Sequence, residues 1–222
     1  MKQIIYLHGL NSNQNAHKAQ LLREYCQVNH TDIEVLSPNL NFSPPQVMAN
    51  VAKMIEHNQQ HGIATAIVGS SLGGFYATYL HHQFDLNTVL LNPSLYPHQS
   101  LQRFFDGNMD DFNQLNDNTV IYITKDNWSI TKYDILWFMH NQPKYNKKHL
   151  NISDNPIDLL EIHNLKIYLK QGDEVLDYRK ALSYFEAQQV IEKNIVVEAG
   201  GDHVMSDFSQ KLTEIVSFCF FN

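Results

Sequence analysis

Short apolar runs alternate with segments whose apolar residues recur every three or four positions, and the alternation runs the length of the 222-residue chain. The apolar runs at 3–7 (QIIYL), 33–36 (IEVL), 63–68 (IATAIV), 87–91 (NTVLL), 165–170 (LKIYLK) and 194–198 (NIVVE) predict six strands. Between them Leu21, Leu22, Tyr25 and Val28, and then Val47, Val51, Met54 and Ile55, fall on single helix faces. Leu72, Phe75, Tyr76, Tyr79 and Leu80 form a third stripe, and Phe208, Leu212, Ile215, Val216 and Cys219 a fourth. Strands alternating with one-sided helices predict an α/β fold of about six mostly parallel strands, with helices packed on both faces of the sheet.

One interval breaks the rhythm. From about 94 to 164 the chain is far longer than a strand-to-strand crossover requires, and it holds both tryptophans, Trp128 and Trp137, with Phe104, Phe105, Phe112, Tyr133 and Phe138. So apolar a stretch predicts a small packed insertion, a cap of helices with a strand near 120–124, rather than a linker. No repeat or second domain boundary is visible, so 1–222 reads as one domain carrying this cap.

Composition narrows the function. The net charge is −7 and the basic residues are scattered, which provides no surface for nucleic acid. The opening MKQIIYLHGL has an apolar run too short for a signal sequence or a membrane span, so a cytoplasmic protein without stable membrane insertion is expected. Cys26 and Cys219 read as reduced thiols there. His57 and His61 stand four apart, but Asn58 occupies the place where a zinc-protease helix carries glutamate, and no metal or other cofactor is expected.

The sharpest signal is IVGSSLGGFYATYL. It contains Gly69-x-Ser71-x-Gly73, and Val68 excludes a frame centred on Ser70. Three fixed positions are weak evidence by themselves. An apolar strand before them and a helical stripe after them supply the context of a nucleophile elbow, in which serine is lifted from the sheet on a tight turn. The missing Gly-Lys-Ser/Thr and Gly-x-Gly patterns exclude a P-loop and a dinucleotide fingerprint. Serine needs a base and an orienting carboxylate, expected in the order Ser, Asp, His. Asp173 follows the fifth strand in QGDEVLDYR, and His203 follows the sixth in EAGGDHVMSDF. Glu174, Asp177 and Asp202 are rival acids, but Asp177 suits a helix cap, and Asp202 adjoins the histidine whose ring it would have to reach. An oxyanion needs two N–H donors, expected from Leu72, next after the serine, and from Leu10, after His8-Gly9, with Asn11 its neighbour. Trp128 and Trp137 are candidates for lining an acyl pocket.

IIYLHGLNS, IVGSSLGGFYATYL, LLNPS, QGDEVLDYR and GGDHVMSDF, in that order, resemble the YqiA-like family of small bacterial esterases within the α/β-hydrolase superfamily. The resemblance implies a three-layer α/β-hydrolase-like sandwich and a cytosolic serine hydrolase acting on a small acyl ester or thioester, with Ser71, Asp173 and His203 as nucleophile, acid and base. The stretch from about 101 to 150 looks longer and more aromatic than the family pattern. Hydrolysis of another carbonyl substrate, such as a peptide or C–C bond, and a non-catalytic binding role are the alternatives.

Overall fold

The computed structural model describes residues 1–143 and 161–221. Six strands, β1 (Lys2–Leu7), β2 (Ile33–Leu36), β3 (Ala64–Ser70), β4 (Thr88–Leu91), β7 (Leu165–Lys170) and β8 (Ile195–Glu198), form one sheet in the order β2-β1-β3-β4-β7-β8. All neighbouring pairs are parallel. Strands covered on both faces have no solvent side to alternate toward, which is why β1, β4 and β7 read as unbroken buried runs. Each of the six expected strands is present, with ends displaced by two residues or fewer.

Helices complete three layers. On one face α1 (His17–Asn29) and α8 (Leu212–Phe220) bury Leu22, Cys26, Ile215 and Val216 against Ile4, Tyr6 and Val68 of the sheet. On the other, α2 (Pro44–Gln60), α3 (Leu72–Phe84) and α7 (Tyr178–Ala187) cover Ile5, Leu7, Ile67 and Leu90. Pro44 opens α2, where the fixed proline φ suits a first turn and no amide is wanted. The α1 stripe differs from expectation at one end. Ala19, Leu22 and Cys26 are buried while Val28 is exposed, because two residues beyond Cys26 the helix has turned by roughly 200°.

The described part of the insertion contains α4 (Pro97–Gln102), α5 (Met109–Gln114), a hairpin of β5 (Val120–Ile123) with β6 (Ser129–Thr131), and α6 (Lys132–His140). Capping boxes fix two helix starts, Asn108 with Asp111 at α5 and Thr131 with Asp134 at α6. On α6, Phe138 meets Phe75 of α3 edge to face with ring centroids 5.1 Å apart, so the insertion is welded to the α2–α3 layer. The remainder of the expected cap, 144–160, lies outside the described residues. Among the described residues no helix is long and apolar enough to cross a membrane.

Strand order reverses between β1 and β3: the chain goes from β1 to β2 on one side and then returns to β3 on the other. In an open α/β sheet such a reversal leaves a crevice at the carboxyl ends of the strands. The loops after β1, β3, β7 and β8 all open there.

Candidate active site

Ser71 joins β3 to α3 in a backbone conformation that side chains rarely adopt, φ 53° and ψ −119°. Such a residue costs on the order of 1–3 kcal/mol and persists only where its surroundings over-determine it. Here its N–H donates to the Leu91 carbonyl at 3.0 Å, and its own carbonyl accepts from Gly74 and Ser94 at 2.9 Å each. Glycine at 73 is required for a separate reason: a Cβ there would overlap the Leu7 carbonyl oxygen where α3 presses on β1. A Cβ at Gly69 would lie 2.5 Å from that of Ala77. The elbow therefore brings the serine to the end of β1 as well as to the start of α3.

His203 and Asp173 complete a chain of hydrogen bonds across three loops. His203 Nε2 lies 2.9 Å from Ser71 Oγ, and Nδ1 lies 2.8 Å from Asp173 Oδ2. The Asp173 side chain is almost fully buried, and its other oxygen, Oδ1, accepts the Val175 and Leu176 amides at 2.8 Å each. With both oxygens bound, the carboxylate has one orientation, and it can accept the Nδ1 proton so that Nε2 faces the serine as an acceptor. The rival acids are engaged elsewhere. Asp177 caps α7 through the Arg179 amide, Asp202 bonds the amide and hydroxyl of Ser206, and Glu174 accepts the backbone amide of His203 at 3.0 Å.

One positioning group escaped sequence reasoning. Asn92, just past β4 at φ 42°, donates from Nδ2 to the carbonyls of Asp202 and His203 at 3.1 Å and accepts the Lys170 amide on Oδ1 at 2.9 Å. The only hint was its place in LLNPS. Lys170 itself is buried between Glu198 and Asp207, at 2.8 and 2.6 Å, beneath the same loop.

His8 is buried at the start of the loop that follows β1. Its Nε2 accepts the Leu40 amide at 3.1 Å, so the ring proton sits on Nδ1 and donates to the Gly9 carbonyl at 3.0 Å. Burial lowers its pKa, which keeps this neutral tautomer in place.

Two cavities meet at Ser71 and His203. One of about 480 Å³ opens between Leu10, Leu21, Val204 and Phe208, and one of about 200 Å³ is bounded by Leu10, Leu72, Leu101, Arg103, Val175 and Leu176. Leu10 and Leu72, the expected amide donors, thus share a cavity with the serine. The two tryptophans do not join them. Trp128 is buried in the core, and Trp137 packs its ring near Phe75 and Tyr79 at 6.3 and 6.5 Å. Neither lines a cavity at Ser71, since Trp128 goes into the core and Trp137, on α6, turns toward α3. The insertion reaches the crevice through Ser94, Ser100, Leu101 and Arg103 instead. Cys26 and Cys219 are free and buried, and burial pushes the Cys26 thiol up to about 11. His61 Nδ1 bonds its own helix at the His57 carbonyl, 2.8 Å away, and no group of three or more metal-ligating side chains occurs among the described residues.

The fold places the chain among α/β-hydrolase structures. Est1E from Butyrivibrio proteoclasticus superposes with a TM-score of 0.70 at 12% identity, over 98% of this chain and 86% of that one. Alpha/beta hydrolase domain-containing protein 10 from mouse gives 0.63 at 15% identity, over 97% and 88%. More particularly, residues 3–220 match the family described as Uncharacterised protein family (UPF0227), and the chain belongs to that family. Among its relatives, UPF0227 protein YcfP of Escherichia coli is 28% identical over 105 residues, 46% of this chain. A UPF0227 protein of Pectobacterium atrosepticum is 28% identical over 106 residues, and in both cases the match spans 57% of the relative's length.

Proposed function

We propose that this chain is a serine hydrolase that cleaves small carboxylic esters or thioesters through an acyl-enzyme. The observation that carries the reading is the continuous relay from Ser71 Oγ through His203 to the buried Asp173 carboxylate, at 2.9 and 2.8 Å, at the mouth of two cavities. A serine hydroxyl is a poor nucleophile until its proton has an acceptor within hydrogen-bond reach, and His203 Nε2 provides one. Attack by Oγ on the substrate carbonyl forms the C–O bond while the proton passes to Nε2, and Asp173 stabilises the imidazolium. The carbonyl oxygen gathers negative charge and is received by the Leu10 and Leu72 amides. Collapse of the adduct breaks the bond to the alcohol or thiol, which leaves with the proton from Nε2. Water, deprotonated by the same nitrogen, then attacks the acyl-serine, releases the acid and restores the hydroxyl.

In this reading one cavity takes the acyl portion of a substrate and the other its leaving portion, and the smaller, about 200 Å³, suits a small group. No cofactor enters this scheme. A fluorophosphonate tests it directly: the wild-type chain should be labelled on Ser71, and Ser71→Ala should lose both labelling and ester turnover, the latter by several orders of magnitude. Ser70→Ala, whose hydroxyl lies on the buried strand, should keep most activity. Equal losses in both variants would sink the assignment. A folded wild-type chain inert to the probe would favour a binding protein.

A further inference from the structure

The Leu10 amide belongs to the β1–α1 loop, residues 8–16, which is largely irregular. A donor on such a loop is useful to catalysis only if something outside the loop holds it. The structure contains a candidate. Asn11 sits at φ 57°, a left-handed conformation that asparagine tolerates better than most residues, and its side chain points to the insertion hairpin 111 residues away in sequence. Asn11 Nδ2 donates to the Tyr122 hydroxyl at 2.9 Å, while Oδ1 accepts that hydroxyl and the Lys125 amide, both at 3.1 Å. A second rung lies beside it, Asn13 Nδ2 donating to Asp126 Oδ1 at 2.9 Å. The Tyr122 ring is fixed in turn by stacking on Phe104, with centroids 4.1 Å apart and planes 15° apart.

We propose that Asn11 and Tyr122 are positioning residues: the β5–β6 hairpin clamps the β1–α1 loop so that the Leu10 amide faces the developing oxyanion. The inference rests on the serine-hydrolase reading and gives the insertion a catalytic role distinct from lining a pocket. Asn11 lines both cavities at Ser71 while Tyr122 lines neither, so loss of the Tyr122 hydroxyl should be felt in transition-state stabilisation rather than in substrate binding. Clamp and donor are adjacent in sequence: the His8 ring holds the Gly9 carbonyl, in the same peptide plane as the Leu10 N–H, and the Asn11 bonds hold the chain on the other side of Leu10.

Two variants break the clamp with little collateral change. Tyr122→Phe removes the hydroxyl and keeps the stacked ring; Asn11→Gly keeps the left-handed backbone and removes the amide. With a p-nitrophenyl ester as substrate, each should lower kcat by about 10- to 100-fold, the range for a supporting hydrogen bond, and Tyr122→Phe, which lies outside both cavities, should leave KM within about twofold. The double variant should be no slower than the slower single one, because both substitutions release the same contact. Hydrogen exchange of the 9–13 backbone should rise in Tyr122→Phe while exchange in α3 is unchanged. A kcat within about twofold of wild type in both single variants, additive losses, or unchanged exchange of the loop would each overturn the proposal. Exchange requires no turnover, so it decides the clamp even if Ser71→Ala retained activity, a result that would sink the hydrolase reading instead.

Discussion

At the scale of single residues, the crevice is organised by side chains that satisfy backbone groups. Asn92 is the clearest example. Its one amide closes two carbonyls of the loop bearing His203 and the N–H at the end of β7. Replacing it with alanine removes all three bonds and leaves the Lys170 amide without its acceptor, a cost of about 1–3 kcal/mol for a buried group. Alanine at φ 42° adds backbone strain, which Asn92→Gly would avoid. Both variants should lose about 10- to 100-fold in kcat/KM, because in each the loop that aims His203 is released. Thermal unfolding should separate them, alanine being the less stable. Steady-state rates near wild type in Asn92→Gly would show that the loop holds its place without this side chain, through Glu174 and the Lys170 ion pairs.

At the scale of elements, the insertion has two faces with different work. Its aromatic face is structural: Trp128 is buried and Trp137 packs on α3, so Trp128→Ala should cost about 3–5 kcal/mol. The ratio of kcat/KM between short and long acyl esters should stay where it was, since neither tryptophan lines a cavity at Ser71. Leu101 lies on the other face and bounds the smaller cavity. Leu101→Ala enlarges that room and should move the ratio toward longer chains by on the order of tenfold, the effect of a lost apolar contact. Measuring both ratios on folded protein decides the matter. A shift with Trp128→Ala and none with Leu101→Ala would reverse the assignment of the two faces.

At the scale of the whole molecule, buried histidines tie stability to pH. Burial lowers the pKa of His8 and His81, and holds His82 down to about 3, with His81 as a further cause. In the unfolded chain each would bind a proton near the ordinary imidazole value, so below about pH 6.5 unfolding takes up protons and stability falls as pH drops. Each such histidine contributes a slope of at most about 1.4 kcal/mol per pH unit. Carboxylates act in the same direction at lower pH. Burial raises the pKa of Glu198 and Asp207, but hydrogen bonds and charge from Lys170 and Lys211 outweigh it and hold both below the usual range. Their contribution is present above about pH 4.5 and is lost as pH falls through the lowered values. The melting temperature should therefore decline from pH 7.5 to 5 and fall further below 4.5, which calorimetry across buffers would check. A flat Tm between pH 7.5 and 5 would contradict the burial of these rings.

The strands and helices were legible in the chain because burial on both faces of a parallel sheet imposes continuous apolar runs, and burial on one face of a helix imposes a stripe. Gly69, Ser71 and Gly73 could be read for a related reason, since a tight strand-to-helix turn places local demands on neighbouring residues. Asp173 and His203 could be named from their order and from the strand ends they follow. Contacts between residues far apart leave no such trace. That Asn92 reaches the His203 loop, that Tyr122 meets Asn11 across 111 residues, and that Trp128 goes into the core and Trp137 onto α3 rather than into the crevice came only with the packing of layers. Apolar periodicity records that a side chain is buried, not against what, and a buried aromatic has the same sequence signature whether it faces a helix or a substrate.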